Sequence, residues 1–467
     1  MVKNHLTVRQ YKAATKLYEL GGGALWWRVG TGKTRVLLSI FAMIAKSDAD
    51  REHNFVVVCR RAAFYDWISE VKKLGLDWNT YAVDDLTHHY RSLPFRTTVF
   101  FVSHGMLSRK TGDQLLEVAS TITAIGFDEG FLFKNPSTKH TKIANRLSTR
   151  IGYPYVLSGS IMTARDLTDV FGQLYAINRH TVLGRTLTEF RSRYMTSLQV
   201  EAYPILIPKK KAMTKVAVKV RAVSSVYFPK DGQREILQSV QNIPASPMQL
   251  ELFKQLKQEW SVVLKGEDGK EEIQDFKNAP TLIVKAQQIS DGWLKAKGGA
   301  SIKIDSPKLE MLVDKVKELI TCGEKQIIIW CAFRHSVERV LQRLQNEKKL
   351  VDPRGIIGMH GSLPFDTSSW SKHGRIAVAT CASGSSVNHF SQCAYAIYYS
   401  QDFKWLNLQQ SMGRTDRHDS THSKCYYHFL HTKSSLDRFI YRAVQASRKA
   451  ETELIDYAKL KQWINQQ

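Results

Sequence analysis

Short apolar runs recur along the chain, each followed by a stretch of helical periodicity, and they constrain the fold more than any other feature. ALWWRV (24–29), NFVVVC (54–59), TTVFFVS (97–103), ITAIGF (122–127) and YPYVLS (153–158) form a first series. KQIIIWC (325–331), GIIGMH (355–360), RIAVAT (375–380), AYAIYY (394–399) and CYYHFL (425–430) form a second. Such runs are apolar throughout, as a strand buried on both faces requires, and their alternation with helical segments reads as βαβ units. The expected fold class is therefore α/β, with two doubly wound parallel-sheet lobes and a helical and hairpin insertion between them.

The boundaries follow from composition. The first lobe is expected over 1–180, the second over 306–445, and a C-terminal helix over 446–467. The segment 181–305 reads as insertion and linker. It carries the run Lys209-Lys210-Lys211, the turn-rich FPKDGQ, a helical pattern near 247–265, and GEDGKEE, which looks like a charged hairpin tip. The lysine run by itself reads as a solvated face.

Charge narrows the partner. Lys plus Arg number 67 against 43 Asp plus Glu, a formal charge of +24, which draws polyanions and makes nucleic acid the first partner to consider. An anionic membrane is the alternative, but no window approaches the roughly 20 apolar residues of a spanning helix, and the N-terminus lacks the apolar core of a secretory signal. Cysteines 59, 322, 331, 381, 393 and 425 stand singly, without a Cys-x-x-Cys pair, which argues against a disulfide framework and a structural zinc site. A reducing cytoplasm fits (the host's, if the source is viral). His88-His89 reads as a pair of solvated loop residues.

Gly30-Thr31-Gly32-Lys33-Thr34 follows the first strand and precedes a helical run. Glycines there let backbone N–H groups close around phosphates, the helix directs its positive end at them, and a lysine reaches the β/γ oxygens. Thr34 supplies a hydroxyl for Mg²⁺. The bland alternative is a Gly-rich turn with a chance Lys-Thr. Asp128-Glu129 ends the run ITAIGF, at the sheet edge where α/β ligands sit. Asp128 is the candidate Mg²⁺ ligand and Glu129 the candidate base for the attacking water. Late in the second series, Gln410-Ser-Met-Gly-Arg414-Thr-Asp-Arg417 places two arginines three apart, read as one helix face and as candidate arginine fingers on the γ-phosphate of ATP.

With these elements in order, nearly the whole chain resembles the superfamily 2 helicases, most closely the Swi/Snf-type DNA translocases, whose lobes are RecA-like. The most specific match is IGFDEGFLFKNPSTKHTKIANRL, where Lys134, Asn135, Pro136 and Ser137 follow the acid pair as in the family. NFVVVCRRAAFYDWISEVKKL, with Trp67, and TTVFFVSHGML resemble its motifs Ia and Ib; VLSGSIMTARDLTDVFGQLYAIN resembles its motif III. SPKLEMLVDKV, HGS (360–362) and TCASGSSVNHF, with Gly384 and Asn388, complete the set. The resemblance implies that Leu6 and Gln10 recognise adenine and that Gly384 and Gln410 join the nucleotide site. The chain departs from the family with Trp26-Trp27-Arg28 in place of an acidic pair, and with Gly130 where alanine is usual. Its compactness is similar to that of small translocases of bacteriophages or plasmids.

The resemblance further implies a groove that grips the phosphates of one DNA strand. Basic or hydroxyl residues at strand ends are the candidates: Arg60, Arg61, Ser103, His104, Arg334 and Thr380. Such contacts set affinity without reading bases, and no sequence-reading module is apparent. Tyr65, Trp67 and Phe333 are expected in the core. The expected function is an ATP-driven, DNA-dependent motor, monomeric on DNA, serving replication, recombination or repair on duplex, forked or branched substrates. An RNA helicase and a non-hydrolysing ATP-binding clamp are the alternatives.

Overall fold

Every apolar run singled out above forms a strand, with its ends shifted by two residues at most. The computed structural model describes residues 6–83, 97–162, 166–200, 203–228, 234–259, 261–265, 271–275, 279–295, 301–347, 350–384, 389–417 and 420–447. His88-His89, Asn388, most of FPKDGQ and all but the first two residues of the C-terminal helix expected over 446–467 lie outside them. The chain divides into two units, residues 1–230 with 446–467, and residues 231–445.

In the first unit the strands are β1 (Gly23–Trp27), β2 (Asn54–Cys59), β3 (Asn79–Val83), β4 (Thr98–Ser103), β5 (Ala124–Phe127) and β6 (Tyr153–Ser158). An antiparallel hairpin, β7 (Met195–Val200) and β8 (Tyr203–Pro208), precedes β9 (Ser224–Tyr227). The main sheet runs β3-β4-β2-β5-β6-β1-β9, with every pair parallel. Alternate side chains leave opposite faces, and both faces are covered. Leu25, Val57, Phe101 and Leu157 pack under helices Val8–Glu19, Lys33–Ser47 and Phe64–Lys73, while Trp26, Val58, Phe127 and Val156 pack with Leu147, Phe171 and Val216 on the other side. This is why the inner strands carry no polar alternation.

The second unit begins with β10 (Glu235–Ile243) and two short antiparallel hairpins, β11 (Ser261–Lys265) with β12 (Glu271–Asp275) and β13 (Trp293–Lys295) with β14 (Ser301–Lys303). Its sheet adds β15 (Ile327–Cys331), β16 (Ile356–Met359), β17 (Ile376–Thr380), β18 (Tyr395–Tyr398) and β19 (Lys424–Thr432). The order is β10-β19-β18-β15-β17-β16, again parallel throughout. The strands on either side of GEDGKEE pair, with Lys265 opposite Glu271, and residues 266–270 of that stretch lie outside the described residues. The helix expected near 247–265 is shorter, Pro247–Glu259, because Ser261–Lys265 enters that hairpin.

Within 181–305, β9 edges the first sheet and β10 edges the second, so the middle of the presumed insertion belongs to both sheets. No helix among the described residues is long and apolar enough to cross a membrane.

Candidate functional site

The loop after β1 is held from outside by the first helix. Thr7 and Gln10 form a reciprocal cap at the start of helix Val8–Glu19: the Thr7 amide donates to Gln10 Oε1 (2.9 Å) and the Gln10 amide to Thr7 Oγ1 (3.3 Å). Gln10 Nε2 is thereby aimed outward and donates to the Thr31 carbonyl at 3.2 Å. It lies so close to Gly32 that a Cβ there would stand 2.4 Å away. Gly32 also has φ +87°, the left-handed region that β-carbons disfavour, so this loop position admits glycine alone. In this structure the Gln10 amide braces the loop with both ends engaged; its adenine role remains an implication of the resemblance.

Helix Lys33–Ser47 starts directly after Gly32, with no side-chain cap on its first turn. Lys33 Nζ donates to the carbonyls of Trp27 (3.0 Å) and Arg28 (3.3 Å), and Thr31 Oγ1 donates to the Arg28 carbonyl (2.6 Å). The side of Gly159 that a Cβ would occupy looks onto Val29 and Lys33 Nζ, so Ser158-Gly159-Ser160, after β6, abuts the same loop.

One strand further on, Asp128 leaves β5 with its amide donating to the Val58 carbonyl (2.8 Å). Burial and then the charge of Glu129 push its carboxyl up to about 6, against the pull of Lys33, the Glu129 amide and the Trp67 indole. The Glu129 amide donates to Asp128 Oδ1 at 2.9 Å, and Glu129 itself adopts φ 49°, ψ 48°. Lys33, Asp128 and Glu129 are therefore gathered at one sheet edge. A threonine hydroxyl and a single carboxylate form a donor set that suits Mg²⁺, which keeps waters and takes its other ligands from phosphates. Among the described residues no cluster of three or more His, Cys, Asp or Glu side chains stands ready for a metal. All six cysteines are free.

Two residues singled out for other roles touch this acid pair. Trp67 is in the core, as expected, and its indole also donates to the Asp128 carboxylate. A buried indole needs an acceptor, and that requirement was the available clue. His104, expected on DNA, instead turns its Nε2 to the Asp128 carbonyl at 2.7 Å; burial pushes its pKa down to about 4.

The remaining strand-end candidates fall into one set per unit. Arg60 and Arg61 follow β2, and Ser103 ends β4 opposite Cys59. Tyr65, expected in the core, is 81% exposed beside them, because helix Phe64–Lys73 buries Phe64, Trp67 and Val71 instead. In the second unit Arg334 opens helix Arg334–Gln345 and its guanidinium donates to Ser362 Oγ. Phe333 precedes it, half-buried with its ring edge-on to Trp293. Thr380 ends β17 but is buried, its hydroxyl accepting from the Ser383 amide (3.3 Å) at the short helix Cys381–Gly384, so it does not present itself to a phosphate. Lys209, Lys210 and Lys211 are exposed.

Gln410 and Arg414 lie on helix Trp405–Thr415, both buried. The shared helix face for Arg414 and Arg417 does not hold. The helix ends at Thr415, and Arg417 sits in a following turn whose carbonyl accepts from the Arg234 guanidinium.

No family model and no curated protein matches the chain. Among solved structures it is similar to the Sulfolobus solfataricus SWI2/SNF2 ATPase core in complex with dsDNA, at 16% sequence identity and a TM-score of 0.42, over 99% of this chain and 94% of that one.

Proposed function

We propose that this protein is a DNA-dependent ATPase that translocates on DNA and remodels or unwinds duplex and branched substrates without reading their sequence. Its main support is the meeting of Lys33 with Asp128 and Glu129 at one sheet edge, where the lysine's charge acts on the Asp128 carboxylate. The first-turn amides of helix Lys33–Ser47 and the Lys33 ammonium bind the phosphates of ATP. On arrival of the nucleotide, Lys33 exchanges the Trp27 and Arg28 carbonyls for phosphate oxygens. Thr34 and Asp128 hold Mg²⁺, which neutralises the phosphate charge when bound. Glu129 orients and deprotonates the attacking water. Arg60, Arg61 and Ser103 take DNA phosphates in the first unit, and Arg334 does so in the second.

Steady-state ATP hydrolysis with duplex, single-stranded, forked and four-way DNA, and with RNA, tests this. Branched or duplex DNA is expected to stimulate turnover, and Lys33→Ala to abolish it while DNA binding survives. Stimulation by RNA equal to that by DNA would make the protein an RNA helicase. ATP binding with no turnover on any nucleic acid would make it a clamp.

A further inference from the structure

We infer that His104 is a positioning residue for the acid pair: its imidazole fixes the peptide between Asp128 and Glu129 and so sets where the Glu129 carboxylate stands. This rests on the reading of Glu129 as the base, and it adds a group outside the motif that controls it.

That peptide is pinned at both ends. Its carbonyl accepts from His104 Nε2 at 2.7 Å, and its N–H donates to Asp128 Oδ1 at 2.9 Å. Because the acceptor is a carbonyl, the ring carries its proton on Nε2. Beyond the peptide, Glu129 holds φ 49°, ψ 48°, a left-handed conformation that residues with a Cβ seldom adopt, and its own carbonyl accepts from the Leu132 amide at 2.8 Å. A backbone in that region persists only where its surroundings over-determine it. Without the His104 donor, the half-buried Asp128 carbonyl loses this partner and the peptide is free to rotate. Rotation swings the Cα–Cβ bond of Glu129 and takes the carboxylate off the water.

The ring is itself wedged. It packs on Phe133, with centroids 5.8 Å apart, and Phe133 packs edge-on against His140, whose Nε2 lies 2.9 Å from the Leu132 carbonyl. His104 thus reaches from the end of β4 past β2 to β5, the order in which those strands lie. It directly follows Ser103, the hydroxyl assigned above to a DNA phosphate.

The test compares His104→Gln, His104→Asn and His104→Leu in the full chain. Glutamine places an N–H where Nε2 stands, asparagine keeps a donor that is too short, and leucine removes it. His104→Leu and His104→Asn are expected to lower DNA-stimulated kcat by roughly 10²-fold, the loss that a misplacement of about 1 Å brings. KM for ATP should stay near wild type, since Lys33 and its loop are untouched. His104→Gln should recover most of the turnover. Binding of a fluorescent ATP analogue, measured on the same samples, reports that each variant is folded. Wild-type kcat in the leucine and asparagine variants overturns the inference; so does a glutamine variant as slow as leucine, which would mean that the ring serves packing alone. Glu129→Gln, run in parallel, separates the two readings: if it turns over normally, the assignment of the base fails whatever His104 does.

Discussion

The indole nitrogen of Trp26 donates to Gln173 Oε1 at 2.9 Å, in the interior of the first sheet's packing layer. Gln173 is fully buried and uses its Nε2 on the Ile161 carbonyl at 2.8 Å, so it ties β1 to the segment after β6. The same Oε1 lies 3.2 Å from where a Cβ on Gly130 would stand, and Val156 Cγ2 would lie only 2.3 Å from it. Trp26 and Gly130 are both positions that the sequence reading marked as departures from the Swi/Snf-type resemblance. They meet at one glutamine and are a single packing arrangement.

Gly130→Ala is therefore expected to harm the protein. Val156 is a stiff β-branched side chain on an inner strand and cannot yield cheaply. Overpacking of this kind costs about 1–3 kcal/mol, which lowers the thermal midpoint by roughly 2–10 °C for a unit of this size. Adding Val156→Ala removes the 2.3 Å contact and should recover part of the loss. An unchanged midpoint in Gly130→Ala would show that the close approach is not there.

Glu129→Gln should bind ATP and hardly turn it over. The substitution keeps the side chain's length and leaves Asp128 and Lys33 in place while removing the proton acceptor, whose contribution is about 10²–10⁴-fold. Single-turnover hydrolysis beside a nucleotide-retention assay measures both halves. Normal hydrolysis would move the base elsewhere.

The strands of the two main sheets that escaped the sequence reading share a cause. NTYAV, SSVY and EILQSVQNI become β3, β9 and β10, and all three lie at sheet edges. An edge strand needs no continuous apolar run, and in β10 only Ile243 is buried. Inner strands such as β2 and β6 carry the packing of both faces and were legible residue for residue. The candidate site was legible where backbone geometry and chemistry coincide, at Gly32-Lys33 and at Asp128-Glu129. His104 was misread because nothing in SHGML tells which way an imidazole turns. The exposure of Thr380 and the helix face shared by Arg414 and Arg417 were misread because a hydroxyl at a strand end and an arginine past a helix end depend on local capping.

SPKLEMLVDKV was singled out in the sequence, but nothing in it shows that its Lys308 is the centre of a buried ionic knot in the second unit. Lys308 is fully buried, 3.0 Å from Asp291 and 3.2 Å from Asp437. Asp291 also accepts from Ser336 (2.5 Å) and Ser400 (2.7 Å), which joins helices Pro307–Thr321 and Arg334–Gln345 to the end of β18. Lys308→Met leaves two carboxylates in the interior without their counter-charge, a loss of about 3–5 kcal/mol. Chemical denaturation should show the second unit unfolding at lower denaturant with the first unchanged. Equal midpoints would mean that water reaches the knot.

Arg414 and Arg417, expected from the sequence as candidate arginine fingers, are held in different ways, and this makes their variants separable. Arg414 is only 8% exposed on helix Trp405–Thr415, so its removal empties packed space as well as deleting a charge. Arg417 stands beyond the helix in a turn fixed from behind: Arg234 donates to the carbonyls of Arg417, Ser420 and His422, and lies 3.7 Å from Asp416. The Arg417 amide donates to Ser420 Oγ at 3.2 Å, and that hydroxyl donates to the Thr415 carbonyl at 2.9 Å. A finger stabilises the transition state more than bound ATP, so each alanine variant should lose roughly 10³-fold in kcat with little change in ATP affinity. Arg414→Ala should also lower the thermal midpoint, whereas Arg417→Ala should not. Arg234→Ala loosens the turn and should reproduce the kcat loss of Arg417→Ala in part, with Arg417 itself intact. Steady-state ATPase on saturating forked DNA, a nucleotide-binding titration and a melting curve on the same samples distinguish these outcomes. Near-normal turnover in both Arg414→Ala and Arg417→Ala would reduce the pair to structural arginines and leave the γ-phosphate to Lys33 alone.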